Sequence, residues 1–230
     1  TDVETLEPFK SDPKGEEREI PRHVYSNPLI PAVCPLRALS SYLMVFPDIL
    51  NEGVRVFPGG DDQKKRFNRL FNECLERNSE DFMTKLGVDY TEIGTHSIRK
   101  GAATYCCSGV HPGPPIVSVC LRAGWSLGRV KERDLKYEPC GDEIVGRTLT
   151  GIPPTCGEFT TSPVYFNSKT NIHFIKQLSS LIHPNPHSQM PLIEAMLASF
   201  IYHESWTTEK YGEGSPMRNI AYWSIASTVP

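Results

Sequence analysis

The sequence contains no hydrophobic run long enough to cross a bilayer, and nothing at its amino end resembles a signal peptide. Its seven cysteines include no Cys-x-x-Cys pair, so the spacing predicts neither a zinc site nor a disulfide framework. Internal repeats and low-complexity tracts are lacking as well. These absences argue against a membrane-spanning, zinc-binding, disulfide-rich or repeat protein. They predict a protein of a reducing, intracellular compartment.

What is present is the composition of an ordinary globular protein, with 39% hydrophobic and 22% charged residues in 230. This length predicts one or two domains. Because the chain begins with Thr1 rather than Met, we expect it to be a piece of a longer protein. The net charge of −3 disfavours a nucleic-acid partner only weakly, because the charge is unevenly distributed.

Positive charge is concentrated between Gly94 and Lys136. This segment contains seven Lys or Arg residues and only two acids, Glu132 and Asp134. Such a concentration is typical of a phosphate-binding surface, although a solvated basic helix face is the plainer alternative. The seven are Arg99, Lys100, Arg122, Arg129, Lys131, Arg133 and Lys136.

The hydrophobic periodicity predicts a mainly α-helical fold with a small β-hairpin. The hairpin is expected over residues 6–24, around a Pro- and Gly-rich turn, and a short extended piece over 54–57. Gly151–Gly157 reads as a linker, so we expect one domain over 1–150 and a helical extension of unknown role over 151–230. Helices are predicted over 35–45, 62–77, 96–108, 114–123, 129–137, 171–182 and 191–202.

One motif carries the functional interpretation. His96 and Arg99 are three residues apart and therefore share a helix face, Trp125 follows a tight turn at Gly124, and Tyr137 lies downstream. A lone His-x-x-Arg pair is common on solvated helices, but here the pattern runs from Thr95 through Ala103 to Ala123–Ser126 and Gly141–Asp142. That longer pattern resembles the tyrosine recombinase (phage integrase) family, and in particular the recombinases of crypton- and DIRS-type mobile elements. The resemblance covers roughly residues 6–150.

The resemblance implies a tyrosine-recombinase catalytic fold that cleaves and rejoins DNA through a 3′-phosphotyrosyl intermediate, without metal or cofactor. It implies that His96, Arg99 and Trp125 hold the phosphate. Tyr137 is the implied nucleophile, and Lys10 of the hairpin is the general acid, with Lys14 as the substitute. The expected partner is double-stranded DNA, bound by a homotetramer in the nucleus. The residues expected to contact DNA around the site are Lys100, Arg122, Arg129, Lys131 and Arg133.

The sequence departs from the family pattern at two places. The usual spacing places the nucleophile at position 134, where this chain has Asp134. Tyr137, one helical turn later, is either a shifted nucleophile or a core residue in a protein that has lost its nucleophile. The first catalytic arginine of the family is either before Thr1 or was never present, and the core-binding domain is expected before Thr1. Three hypotheses follow: a recombinase fragment or partly decayed copy with Tyr137 as nucleophile, an inactive domesticated DNA-binding or interaction domain, and a helical domain unrelated to DNA.

Overall fold

The computed structural model describes residues 23–47, 57, 62–125, 139–167, 172–182 and 190–223. Over these residues the chain is mainly α-helical and contains no strand, which confirms the mainly-α prediction. The predicted hairpin and the extended piece over 54–57 lie almost wholly outside the described residues. The helices are α1 Pro35–Val45, α2 Gln63–Arg77, α3 Ser79–Leu86, α4 Thr95–Thr104, α5 Ile116–Ala123, α6 Pro139–Leu149, α7 Ile172–Ile182, α8 Met190–Tyr202 and α9 Glu204–Lys210.

The largest core lies between α1, α7 and α8. Helix α1 begins with Pro35, whose fixed φ and missing N–H suit the first turn of a helix. It packs along α8, which is apolar on nearly all sides and carries the fully buried Phe200. The predicted boundary near residue 150 stays a prediction, although this core joins residues from both sides of it. Its buried members are Cys34, Leu36, Leu43, Met44, Leu178, Ile193, Met196, Leu197, Phe200, Met217, Ile220 and Tyr222.

A second, smaller core underlies the motif region. Cys106, Val119 and Val145 pack together there with less than 5% exposure. They come from the wide helical turn Tyr105–Gly109 that continues α4, from α5 and from α6. Short helices meeting at a few small side chains thus support the segment that carries the motif.

Asn27 links the two cores. Its side chain is fully buried, donates to the Thr150 carbonyl at 2.6 Å and accepts from the N–H groups of Leu29 and Ile30, both at 2.8 Å. The amide therefore ties the end of α6 to the chain that enters α1.

Helix α2 matches the predicted helix closely, but the prediction that its apolar stripe is buried is wrong. Phe67 and Leu70 are 54% and 58% exposed, and Leu75 is the stripe's buried member. The reason is that α2 and α3 each pack against the short turn Tyr90–Glu92, which covers little of their surface. The rings of Phe67 and Phe71 instead stack on each other, with centroids 6.1 Å apart.

Candidate nucleic-acid interface

The motif helix α4 begins at a cap made by Gly94 and Ser97. Gly94 has extended backbone, and its N–H donates to the Ser97 hydroxyl at 3.1 Å. Its carbonyl accepts from the Ser97 N–H at 2.8 Å. These bonds satisfy polar groups that the first turn of a helix otherwise leaves free. The helix then holds His96 and Arg99 one turn apart on a shared face, and both are exposed.

Trp125 is positioned by the end of α5. Gly124 adopts the left-handed conformation, with φ 65° and ψ 31°. The N–H of Trp125 donates to the Cys120 carbonyl at 2.9 Å, and that of Gly124 donates to the Leu121 carbonyl at 3.1 Å. This pattern is a Schellman motif, which needs a residue without a Cβ at the turn. The turn reverses the chain and sends Trp125 towards α4.

Arg99 and Trp125 are in contact, although they lie 26 positions apart in the sequence. The guanidinium carbon of Arg99 is 5.4 Å from the centroid of the Trp125 ring, and Nη2 donates to the Ala123 carbonyl. Trp125 remains 37% exposed, and a cation–π contact at such a site contributes about 0.5–1 kcal/mol. We call the exposed patch formed by His96, Arg99 and Trp125 the motif surface.

Arg122 behaves differently from Arg99. Its Nη1 lies 2.6 Å from Asp142 Oδ1, and its Nη2 donates to the His23 carbonyl at 3.0 Å. The guanidinium carbon also lies 5.6 Å from the centroid of the Tyr25 ring. The predicted DNA contact of Arg122 stays a prediction. In this structure both terminal nitrogens of the side chain are engaged inside the protein.

Asp142 is the centre of that arrangement, and its side chain is 4% exposed. The Tyr25 hydroxyl donates to Oδ2 at 3.2 Å, and Nδ1 of His23 lies 3.5 Å from the same oxygen. Gly146 allows the close approach, because a Cβ there would lie 2.0 Å from a Tyr25 ring carbon. We call His23, Tyr25, Arg122 and Asp142 the Asp142 cluster. It fastens α5, which carries Trp125, to α6 and to the chain before α1.

Sequence reasoning included Asp142 in the motif pattern but gave it no role. The partners of its carboxylate are 20 and 117 positions away, and no periodicity in the sequence pairs residues at such separations. The glycine at 146 was the available signal, since a glycine inside a helix often marks a close approach.

Cys106 lies next to this cluster and is fully buried. Burial above all, together with the neighbouring Cys107, raises the pKa of its thiol to about 11, although the charge of Arg122 acts in the opposite direction. The thiol is therefore protonated at neutral pH, and it acts as a small core residue.

The remaining site predictions stay open. Lys100 is exposed on α4, beside Arg99 in the chain. The other predicted site residues lie outside the described residues, and so does the aspartate at the expected nucleophile position. They are Lys10, Arg129, Lys131, Arg133, Asp134 and Tyr137.

No protein-family model, curated protein or solved structure matches this chain. Over the ranges that the structure describes, no group of three or more His, Cys, Asp or Glu side chains is placed to hold a metal ion. None of the helices in those ranges is both long and apolar enough to span a membrane. The functional assignment therefore depends on the motif surface and on the resemblance stated above.

Proposed function

We propose that this chain is the catalytic domain of a tyrosine recombinase of the mobile-element type, present as a fragment or a partly decayed copy. Its motif surface binds a phosphate of double-stranded DNA. The observation that supports this most is the exposed contact between Arg99 and Trp125, two motif residues that the fold brings together at the end of α5. The contact joins two motif residues that lie 26 positions apart, beside the exposed His96.

The chemistry of the motif surface suits a phosphodiester. The planar guanidinium of Arg99 offers several N–H donors, of which one is used by the Ala123 carbonyl, and it can hold two non-bridging oxygens at once. The indole N–H of Trp125 and the imidazole of His96 are further donors. Donors of this kind stabilise the charge that develops on the phosphate oxygens in the transition state.

Strand cleavage requires a nucleophile and an acid in addition. In the proposed reaction the Tyr137 hydroxyl gives its proton to water and attacks phosphorus. The bond from phosphorus to the 5′ oxygen breaks, and Lys10 gives that oxygen a proton. Rejoining reverses these steps, because the 5′ hydroxyl of a strand attacks the phosphotyrosyl bond and releases Tyr137. The proposal includes no metal or cofactor. It places the protein in the nucleus as a tetramer on two DNA sites.

A second candidate function is DNA binding without cleavage, in a domesticated or disarmed recombinase. Asp134 favours it, since the acid stands where the family pattern expects the nucleophile and its charge repels a phosphate. In this case the motif surface keeps its affinity for the DNA backbone, and the domain serves as a binding or interaction module.

Binding is tested by fluorescence anisotropy with two unrelated duplexes. We expect Arg99→Ala to weaken both affinities about equally, by about 10-fold, because phosphate contacts carry no sequence information. Arg218→Ala, an exposed arginine that bonds only backbone carbonyls of the carboxyl-terminal part, serves as the control and leaves both affinities unchanged. Strong preference of the wild type for one duplex contradicts this prediction.

Cleavage is tested on a protein with the upstream sequence restored. A nicked suicide duplex then traps a covalent protein–DNA adduct that survives denaturation. An adduct that is lost in Tyr137→Phe supports the enzyme with a shifted nucleophile. The absence of an adduct from the wild type, together with an adduct from Asp134→Tyr, supports the disarmed protein instead.

A further inference from the structure

Arg37 is a buried cation in α1, far along the chain from the motif. It is 6% exposed, its Nε donates to the Pro31 carbonyl at 2.9 Å, and its guanidinium carbon lies 4.6 Å from the centroid of the Trp206 ring. Its Nη1 is buried without a hydrogen-bond partner. Among the residues that the structure describes, no carboxylate forms an ion pair with it.

Three more buried polar groups without a hydrogen-bond partner accompany Arg37. They are the hydroxyls of Ser40 and Ser41 and the Nε2 of His203, each on a side chain less than 6% exposed. Ser40 and Ser41 lie three and four residues after Arg37, on the same side of α1. We call Arg37, Ser40, Ser41 and His203 the Arg37 cluster.

His203 senses the charge of Arg37. Burial lowers the pKa of its imidazole and the Arg37 guanidinium lowers it further, while a hydrogen bond to the backbone of Asn27 acts in the opposite direction. The guanidinium of Arg37 therefore lies close enough to His203 to disfavour the charged form of the imidazole.

Such an arrangement is costly for a folded protein. Buried polar groups nearly always have partners, and a buried charge without a counter-charge destabilises the fold more than any other single polar group. The face of Trp206 offsets only part of this cost. Arg122 makes the contrast plain, since it is more exposed than Arg37 and yet has the carboxylate of Asp142. Among the described residues, Arg37 therefore has no counter-anion.

We propose that the Arg37 cluster is a binding site for a small oxyanion, held by Nη1 of Arg37 and the hydroxyls of Ser40 and Ser41. Inorganic phosphate and a carboxylate group share the required chemistry. A DNA backbone does not, because a duplex is too large to enter at a guanidinium that is 6% exposed. A small ion reaches Nη1 when the surrounding side chains open locally. This site is separate from the motif surface and is independent of the DNA-binding proposal.

The experiment measures thermal unfolding at constant ionic strength, with chloride replaced by inorganic phosphate in one arm and by acetate in the other. At about 100 times the dissociation constant, the binding anion raises the wild-type midpoint by about 5–10 °C. Arg37→Met removes this rise, and in chloride it melts no lower than the wild type, because an apolar chain replaces an unpaired charge. Arg218→Met keeps the rise, as an exposed arginine without such a site.

A rise in the phosphate arm identifies phosphate as the ligand, and a rise in the acetate arm alone identifies a carboxylate. The absence of a rise in both arms overturns the proposal, as does an equal rise in Arg37→Met. If Arg37→Met does not fold, Arg37→Lys replaces it. The lysine keeps the charge but lacks the planar fork, so we expect the rise to fall by at least half. An unchanged rise in Arg37→Lys contradicts the role given to Nη1.

Discussion

The two cores of this protein differ in how they hold their helices together. Between α1 and the carboxyl-terminal helices, large side chains such as Phe200 and Tyr222 are almost completely buried and meet edge to face, with ring centroids 4.9 Å apart. Under the motif surface the apolar cluster consists of Cys106, Val119 and Val145. There the small apolar contact contributes little, and the short ion pair and hydrogen bonds of the Asp142 cluster hold α5 to α6 and to the chain before α1.

The comparison shows how a small fold can keep its binding residues exposed and still hold the helices behind them in place. The large core obtains its stability mainly from non-directional apolar burial. The motif region must present Arg99 and Trp125 to solvent, and it therefore relies on directional polar bonds between the helices behind them. We expect the two regions to respond differently to the loss of apolar volume and to the loss of charge.

The largest effect is expected from the large core. Phe200→Ala should reduce the free energy of unfolding by about 3–5 kcal/mol, because it removes a fully buried ring that contacts Tyr222 and Trp223. Val119→Ala in the small core should cost about 2 kcal/mol, since it removes two methyl groups. Urea denaturation measures both. Equal losses would mean that the two cores do not differ in this way.

A smaller effect is expected when the Asp142 cluster loses its charge. Asp142→Asn should reduce the free energy of unfolding by about 3 kcal/mol, because it leaves the largely buried Arg122 without a carboxylate. Asp81→Asn is the matched control, since Asp81 pairs with Lys85 and both side chains are more than 60% exposed, and it should cost less than about 1 kcal/mol. A loss of similar size in both variants contradicts the role assigned to the Asp142 cluster.

The smallest effects distinguish two glycines of the motif region. Gly124→Ala should destabilise the protein by about 1 kcal/mol, because φ is +65° there. Gly101→Ala, inside α4, should stabilise it by about 0.5–1 kcal/mol. A Cβ meets nothing within 4 Å at either position, so backbone conformation alone separates them. Thermal or urea unfolding measures the pair, and a change of the same sign in both contradicts the assignment of the turn.

Local sequence signals predicted several helices closely. Pro35 and the leucine spacing after it predicted α1 with its observed bounds, and the apolar patterns of α7 and α8 were equally informative. Helices α3, α6 and α9 were not predicted. Two of them have eight residues or fewer, too short for a clear apolar period. Helix α6 carries glycines at 141 and 146, which lower its helix propensity.

Tertiary relations were harder to predict than helices. The periodicity of α2 indicated which face is apolar, but whether another element covers that face is decided elsewhere in the chain. The pairing of Arg122 with Asp142 and the burial of Arg37 also depend on residues that are distant in the sequence, so local patterns do not predict them. The resemblance joined Arg99 and Trp125 in one hypothesis, and the sequence predicted a tight turn at Gly124. The contact between the two side chains, and the hydrogen bonds that make the turn a Schellman motif, come from the structure.

The salt dependence of duplex binding tests the central claim most directly, because it counts the phosphates that the protein neutralises. The slope of log affinity against log salt concentration is measured for the wild type, Arg99→Ala and Arg218→Ala. If Arg99 holds a phosphate, its removal reduces the magnitude of the slope by about 0.9, and Arg218→Ala leaves the slope unchanged. An unchanged slope in Arg99→Ala would show that the motif surface does not contact the DNA backbone, and would contradict the proposed function.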